Sequence, residues 1–500
     1  MIIQGKQAKE QLLSGINKTA DTVKSTLGYR GKTVVINDNL RMGFHVTKDG
    51  VTVAKAIRLE DDVENLGSEF IKNAAIKTVN EAGDSTTTTT ILTQKMCNMI
   101  QSELELGTNP NVIIQDLRED LSTVIEFIKN NSTKISNTED IYKVAMVSSN
   151  TDSNVAQVIK DVYDNSNFRV AIDVVESDQL DTTYEIVKGY SMQETGYVSP
   201  IFINNQEKGR VDLKDPIIYI NNGKIKSLTP ALNEIFSKNI DRNIEDFRPL
   251  VIICEDIDEM PLRDIHRAFR EGMIFDVCIV KSNLIFDDRK QIFVDASRVL
   301  DAEYTEDSFG TPGTCEKIII EKDTVTFING AGDTDKYLKE LKKQSKKQEN
   351  IFLNKRIFAL ESIAAIIKVG GKLTSEIAEK KDRIDDSVFS VKSAIEEGYS
   401  PGGSSVFITA YKELDIKTKI MKEALLECYK QLMINAELEP MYYLREIHDK
   451  GVGYGFNLIT EKVSNMHEDG IYDSTKGLRV SMENAVSTAC TFALINNIIT

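Results

Sequence analysis

Apolar positions recur at helical spacing through "KEQLLSGINKTADTVKSTLG". Leu12, Leu13, Ile16, Ala20, Val23 and Leu27 share one side of a helix that Gly28 stops. The period then shortens. "KTVVIND" and "FHVTKDGVTVAKAI" carry β-branched runs that read as strands, with a turn at Lys48-Asp49-Gly50. Helical spacing returns in "LGSEFIKNAAIKTVNEAG" and again in "ILTQKMCNMIQSELELG". Between them, directly after Gly83-Asp84-Ser85, stand five consecutive threonines, Thr86 to Thr90. A β-branched side chain loses χ1 freedom against the preceding turn, so threonine is a poor helix former. Five of them at the start of a helix need a reason.

Farther along, residues 131–187 are mixed and include the strand-like "RVAIDVVES". From 188 to 370, short apolar runs ("PIIYINN", "PLVIICED", "FDVCIVK", "EKIIIEKDTVTFING") alternate with helical stretches, which predicts an α/β domain around a buried sheet. "DTDKYLKELKKQSKKQENIFLNKRIFALESI" is charged with helical periodicity and reads as a solvated helix face. After 371 the chain is helical almost to its end. The expected fold class is multidomain α+β. A helical beginning and a helical end flank an inserted α/β segment, so the helical domain is expected to be discontinuous.

A chain of 500 residues is long enough for two to four domains. The hydrophobic share of 41% and charged share of 28% are ordinary for a globular protein. The net charge of -16 argues against a nucleic-acid groove, which needs a basic surface, but leaves nucleotide binding open. Cys97, Cys254, Cys278, Cys315, Cys428 and Cys490 form no C-x-x-C pair, and the four histidines are scattered. Free, mostly buried thiols in a cytosolic protein are therefore expected rather than a structural zinc site. "MIIQGKQAKEQLL" has neither an h-region nor an Arg/Ser-rich leader, and no apolar run approaches membrane-spanning length. The expectation is a cytoplasmic protein (bacterial, or in a host cell if viral) with no nucleic-acid or membrane partner.

The threonines sit where a helix N-terminus exposes unpaired N–H groups and the positive end of its dipole, a ready site for phosphate. Gly83 permits a tight turn, and Asp84 offers a carboxylate of the kind magnesium uses beside phosphate oxygens. An ordinary capped helix is the competing reading, although a cap needs one polar residue rather than seven. Further glycine and aspartate stretches, "TLGYRGK", "VTKDGVTVAK", "DDSVFSVKSAIEEG" with Asp386 at the start of a helical run, "GYSPGGSSV", "GYGFNLITE" and "GIYDSTK", each read alone as a turn or cap.

In this order the stretches are similar to the group I (GroEL-type) chaperonins over essentially the whole chain. The resemblance is carried by "VKSTLGYRGKTVVI", "TKDGVTVAKAIRLEDDVENLGSEFIK", "AGDSTTTTTIL", "GYVSPIFIN", "EKKDRIDDS", "AIEEGYSPGG" and "YGFNLITE". It implies a mostly helical equatorial ATPase domain (1–130 and 400–500), a small mixed intermediate hinge domain (131–187 and 371–399) and an α/β apical polypeptide-binding domain (188–370). It implies ATP and Mg2+, with K+ as a further candidate, and a homo-oligomeric ring of seven. Thr26, Leu27 and Gly28 match the loop under the phosphates, Asp84 the magnesium ligand, and Thr86, Thr87 and Thr88 the phosphate-binding threonines, with Ser85 between. Gly402 and Gly403 match glycines near the ribose, and Val147, Asn457, Ile471 and Asp473 match positions around base and sugar. Asp49 and Asp386 match the catalytic aspartates near the γ-phosphate, Asp386 the one that orients the attacking water. Tyr197, Val198, Ile201, Phe202, Leu232, Ile235 and Leu262 match apolar positions that hold unfolded polypeptide.

Departures from the family pattern are specific. Tyr29 stands for its proline, Ser85 and Ser404 for glycines, and Leu458 and Ile459 for two alanines, which would narrow the base pocket. His266 and Arg267 fall where apolar groove residues are expected, and "SNLIF" replaces a Gly-Phe-Gly stretch, which leaves use of a co-chaperonin lid open. The chain ends at "INNIIT" without a Gly-Met tail, and the apolar ends are expected to pair between subunits. The expected activity is ATP hydrolysis coupled to capture, enclosure and release of unfolded chains. The alternative is a nucleotide-binding oligomeric scaffold with reduced folding activity. A group II chaperonin with a built-in lid ranks last, since 188–370 offers no long insertion with an apolar tip.

Overall fold

The computed structural model describes residues 2–38, 43–166, 168, 170–206, 208–238, 247–271, 276–306, 308–346 and 351–499. The fold is multidomain α+β. Its contacts divide it into two compact units, one of Met1–Asp164, Val174–Thr183 and Lys368–Thr500, the other of Asn165–Asp173 and Tyr184–Ile367. The first unit gathers both ends of the chain.

That unit is a helical bundle. Helices Gly5–Val23, Asp62–Ala82, Thr86–Glu105, Pro110–Asn130, Lys419–Asn435 and Thr475–Leu494 carry the apolar stripes read from the sequence. Leu12, Ile16, Leu92, Met96, Leu117, Phe407, Leu425 and Phe492 meet in one core. The helix starts are capped as their residues dictate. Asp61 accepts from the N–H groups of Val63 and Glu64, Asn109 precedes Pro110, and Thr418 accepts from Met421 N. Asp120 is buried yet satisfied, since it accepts from Lys417 N, Thr418 N and Thr418 Oγ1 at 2.7 to 2.9 Å. All six cysteines are free and buried.

Three local expectations change. "VTVAKA" is a helix, Gly50–Ala56, rather than a strand. Asp49 caps it, accepting from Val51 N at 3.1 Å and Thr52 N at 2.8 Å, and Val53 and Ala54 bury against Val23. Capping and burial outweigh the β-branched preference. Asp386 does not start a helix but lies midway along Thr374–Glu397. The chain ends pair with each other, Ile2 opposite Ile499 and Gln4 opposite Asn497, rather than only being available to another subunit.

The second unit contains the buried sheet expected for 188–370. Strands Ile217–Ile225, Leu250–Ile257 and Val277–Ser282 run parallel at the centre of a five-stranded sheet. Residues 250–254 and 277–280 are almost wholly apolar and buried, as a sheet covered on both faces requires. "EKIIIEKDTVTFING" forms the hairpin Cys315–Ile320 and Thr324–Gly330 within a six-stranded sheet. The charged segment is two helices, Asp335–Ser345 and Ile351–Leu360, and its residues 347–350 lie outside the described residues. Among the described residues no helix is long and apolar enough to cross a membrane.

Candidate nucleotide site

Gly83 ends helix Asp62–Ala82 in the left-handed conformation, and the next helix begins at Thr86. A Cβ at Gly83 would lie 2.3 Å from Phe389 Cβ, so the link is both turned and tightly packed there. Ser85, also left-handed at φ 71, is the N-cap of helix Thr86–Glu105, and its side chain makes no cap hydrogen bond. The first turn of the helix therefore presents its backbone donors without a side-chain cap. It opens onto a cavity of about 270 Å³.

The threonines divide into two groups. Thr86, Thr87 and Thr88 line the cavity. Thr89 and Thr90 are buried and turn their hydroxyls back onto the helix, to Ser85 O at 3.2 Å and Thr86 O at 2.9 Å. Thr89 also meets Thr78 Oγ1 at 2.9 Å, which in turn accepts from Asn484 Nδ2 at 3.1 Å.

The same cavity is lined by Thr26, Leu27, Gly28, Asp49, Asp84, Ser85, Val147, Asp386, Gly403, Asn457, Ile471 and Asp473. Segments spread along the whole first unit thus converge. Gly402 stands just behind the wall, where a Cβ would come 3.1 Å from Asp473 Oδ1 and from Ile471. Gly50 is more tightly confined, 2.3 Å from Thr87 Oγ1 and 3.1 Å from Thr86 Oγ1 at its missing Cβ. Thr26 Oγ1 donates to Val23 O at 2.8 Å and lies 3.4 Å from Thr87 Oγ1.

Four carboxylates share this space. Asp84 accepts from Ser85 N on Oδ1 and from Ser148 Oγ at 3.1 Å on Oδ2. Burial holds the Asp84 carboxyl above its ordinary range, with Asp49 adding to the effect and the two hydrogen bonds opposing it. Burial pushes Asp386 well above the ordinary range, followed by the charges of Asp49, Asp84, Asp382 and Asp385. Asp473 is pushed up to about 6 by burial and then by Asp84, against the backbone N–H groups of Ser404 and Gly403. Such mutual repulsion is what a divalent cation relieves. Among the described residues no group of three or more His, Cys, Asp or Glu could hold a metal alone. The donor set suits an ion that shares one or two carboxylates with phosphate oxygens, so the residues fit magnesium.

Asn457 has a different place from a free ligand contact. It is 4% exposed, its Nδ2 donates to Asp469 Oδ2 at 2.6 Å, and its Oδ1 accepts from Ile459 N at 2.9 Å and Thr460 N at 3.2 Å. Its amide shapes the loop that sets Leu458 and Ile459 on the cavity wall. Lys48, Ser148, Ser390, Leu432, Phe456 and Met466 also line the cavity without having been singled out in the sequence. Ser148 was legible only as the neighbour of Val147. Lys48 stood in the turn beside Asp49 and Phe456 in the stretch read as a turn or cap, whereas Leu432 and Met466 lie on runs with no local signal for a site.

The chain matches the model of the TCP-1/cpn60 chaperonin family over residues 19–500. It belongs to that family. Two solved structures are similar to this chaperonin along its entire length. Both are of the chaperonin gp146 from bacteriophage EL 2 (Pseudomonas aeruginosa) in the presence of ATP-BeFx. Crystal form II superposes with a TM-score of 0.70 at 19% identity and covers 100% of this chain and 99% of that one. Crystal form I gives 0.64 at 19% identity with the same coverage. At that identity the shared feature is the fold.

The expected polypeptide-binding positions all fall in the second unit. Tyr197, Val198, Ile201, Leu232 and Leu262 are partly buried against its core. Ile235 is on helix Thr229–Lys238 with Leu232, and its side chain lies outside the described residues. Phe202 is a correction to the expectation of an exposed groove. It is 3% exposed and packs edge-on against His266 and Phe269 at 6.2 and 5.8 Å. Helix Glu259–Arg270 turns Glu259, Arg263, Asp264 and Arg267 outward, and Met260, 73% exposed, is the large apolar side chain it exposes.

Proposed function

We propose that this chaperonin binds and hydrolyses ATP in the cavity at the start of helix Thr86–Glu105, and that it works as a ring of identical subunits that captures and releases unfolded polypeptide. The observation that carries the reading is the uncapped helix start facing Asp49, Asp84 and Asp386 in one cavity. The solved phage relative, crystallised in the presence of ATP-BeFx, supports it. The backbone donors of Thr86, Thr87 and Thr88 and the Thr87 hydroxyl would bind phosphate oxygens. Asp84 would hold magnesium, with Asp49 beside it, and the ion would neutralise charge on the phosphates. Asp386 would accept a hydrogen bond from the attacking water and hold it in line, a role that positioning alone can fill. Leu458, Ile459 and Met466 would exclude water from the apolar part of the cavity.

The three-part division into equatorial, intermediate and apical segments belongs to this proposal, with Asp386 delivered by the intermediate segment. So do seven subunits per ring and the host-cell or bacterial cytoplasm. ATP affinity measured by calorimetry tests the site. Chelating magnesium should weaken binding at least about tenfold, because the carboxylates are left facing phosphate unscreened. Equal affinity with and without magnesium contradicts the assignment of Asp84.

A second reading keeps the nucleotide site but drops client folding. The charged outer face of helix Glu259–Arg270 favours it. An apolar dye separates the two: a folding chaperonin exposes a patch whose dye binding changes with ATP, and a scaffold does not.

A further inference from the structure

Two of the cavity acids arrive by different routes. Asp49 follows the strand Gly43–Thr47, and Asp386 comes from the middle of helix Thr374–Glu397. One helical turn before Asp386, on the same side of the helix, stands Asp382. Its Oδ2 lies 3.7 Å from Nε2 of His45 on the strand, and both side chains are partly buried.

The helix turn that brings Asp386 also brings Asp382 and Asp385, and Asp386 feels all of them together with Asp49 and Asp84. Pressing so many acids together is unfavourable unless a cation opposes them. His45 can be that cation. Across its own hairpin it faces Ile36, so the neighbouring strand sets no charge opposite it. The charged groups of its own segment are Lys48 and Asp49, and the acids of the helix turn beside it are Asp382, Asp385 and Asp386. Arg383 points elsewhere, to Asp152 at 3.4 Å and Glu379 at 2.8 Å.

We propose that His45 is a positioning residue for hydrolysis, its imidazolium paired with Asp382 so that the helix turn carrying Asp386 is seated against the segment carrying Asp49. This rests on the ATPase reading above. The pair acts in two ways. It ties together the two segments that must converge for the water to be aligned, and it offsets the Asp382 charge that otherwise disfavours an ionised Asp386.

The test compares the full chain with His45→Gln, His45→Lys and Asp382→Asn, reading kcat for phosphate release and nucleotide affinity across pH, and hydrogen exchange of the segment 382–390 without nucleotide. His45→Gln should lower kcat roughly tenfold with little change in affinity, since misaligned groups cost rate rather than binding. His45→Lys, which keeps the charge, should recover most of that loss. The segment 382–390 should exchange faster in His45→Gln and recover in His45→Lys. A His45→Gln protein with the parent's kcat at every pH overturns the proposal, and so does a His45→Lys protein as slow as His45→Gln. If His45→Gln does not fold, Asp382→Asn is held to the same expectations. If the parent releases no phosphate at all, the ATPase reading fails, and exchange decides the tie alone: unchanged protection in both pair-breaking variants overturns it.

Discussion

Ser85 shows how a departure from the family pattern is absorbed. A serine at φ 71 is strained, and its side chain needs room beside the turn that opens onto the cavity. Gly477 supplies that room, since a Cβ there would lie 2.5 Å from Ser85 Oγ. Ser481 Oγ then donates to Ser85 O at 3.2 Å and pins the turn. The two positions should therefore be coupled. Gly477→Ala is expected to weaken ATP binding by displacing Ser85, and adding Ser85→Gly to restore part of it, with a coupling of about 1 kcal/mol in a double-mutant cycle. Additive effects would show that the side chains act separately. Asp473 carries a pH signature. Its carboxyl is raised from 3.8 to about 6, so the folded state holds its proton more tightly than the unfolded chain does. That contribution is full at low pH and is lost as pH rises toward and through about 6. Without magnesium, Asp473→Asn should stabilise the protein at pH 8 relative to pH 5 by up to about 1.5 kcal/mol, since about half of the full effect is already lost by pH 5. Urea unfolding at the two pH values measures it, and an equal effect at both would contradict the burial of that charge. The Ser85 substitution was legible in the sequence. Gly477 was not, because it lies 392 positions away and only the fold makes it a neighbour.

The five threonines are two devices on one helix. Thr89→Val removes a buried hydroxyl that bonds Ser85 O and Thr78, and should cost about 1–2 kcal/mol of stability while leaving ATP affinity nearly unchanged. Thr87→Val should do the reverse, weakening ATP binding with little loss of stability, because its hydroxyl lines the cavity. Thermal unfolding beside calorimetry of both variants checks the division, and the same phenotype from both would erase it. Helix existence was readable wherever apolar spacing was long, as in Gly5–Val23 or Thr475–Leu494. Gly50–Ala56 was not readable, because a short run of valine, threonine and alanine satisfies both periods. What decides it is Asp49, whose carboxylate fills two orphan donors. The same carboxylate faces the cavity, so one residue both caps its element and serves the site. The place of Asp386 on helix Thr374–Glu397 was misread for a related reason. Its first half, "TSEIAEKKDR", is polar on most sides and shows little periodicity.

At the scale of the molecule, the sequence order of the motifs already implied a domain closed by both chain ends, and the first contact unit does include both. Convergence of the site was legible through family resemblance rather than through spacing. Asp49, Asp84, Asp386 and Asp473 are too far apart in sequence for any local pattern to join them, yet one cavity holds all four. The second unit was legible in its sheet and not in its surface. Short continuous apolar runs identify the strands, whereas no pattern distinguishes an apolar side chain at the surface from one in the core, so Phe202 was expected outside and lies within. Exposed apolar groups instead include Met260 and Phe286, the latter 82% exposed in the stretch that replaces Gly-Phe-Gly. Whether that surface serves clients depends first on whether the site turns over nucleotide. The most direct test is phosphate release from Mg-ATP by the assembled protein beside Asp386→Ala, with ATP affinity measured on both. The parent should hydrolyse ATP, and the variant should bind it with similar affinity while turning it over at least about a hundredfold more slowly. Equal turnover by the two proteins, or none by the parent, would contradict the assignment of this cavity as the ATPase site.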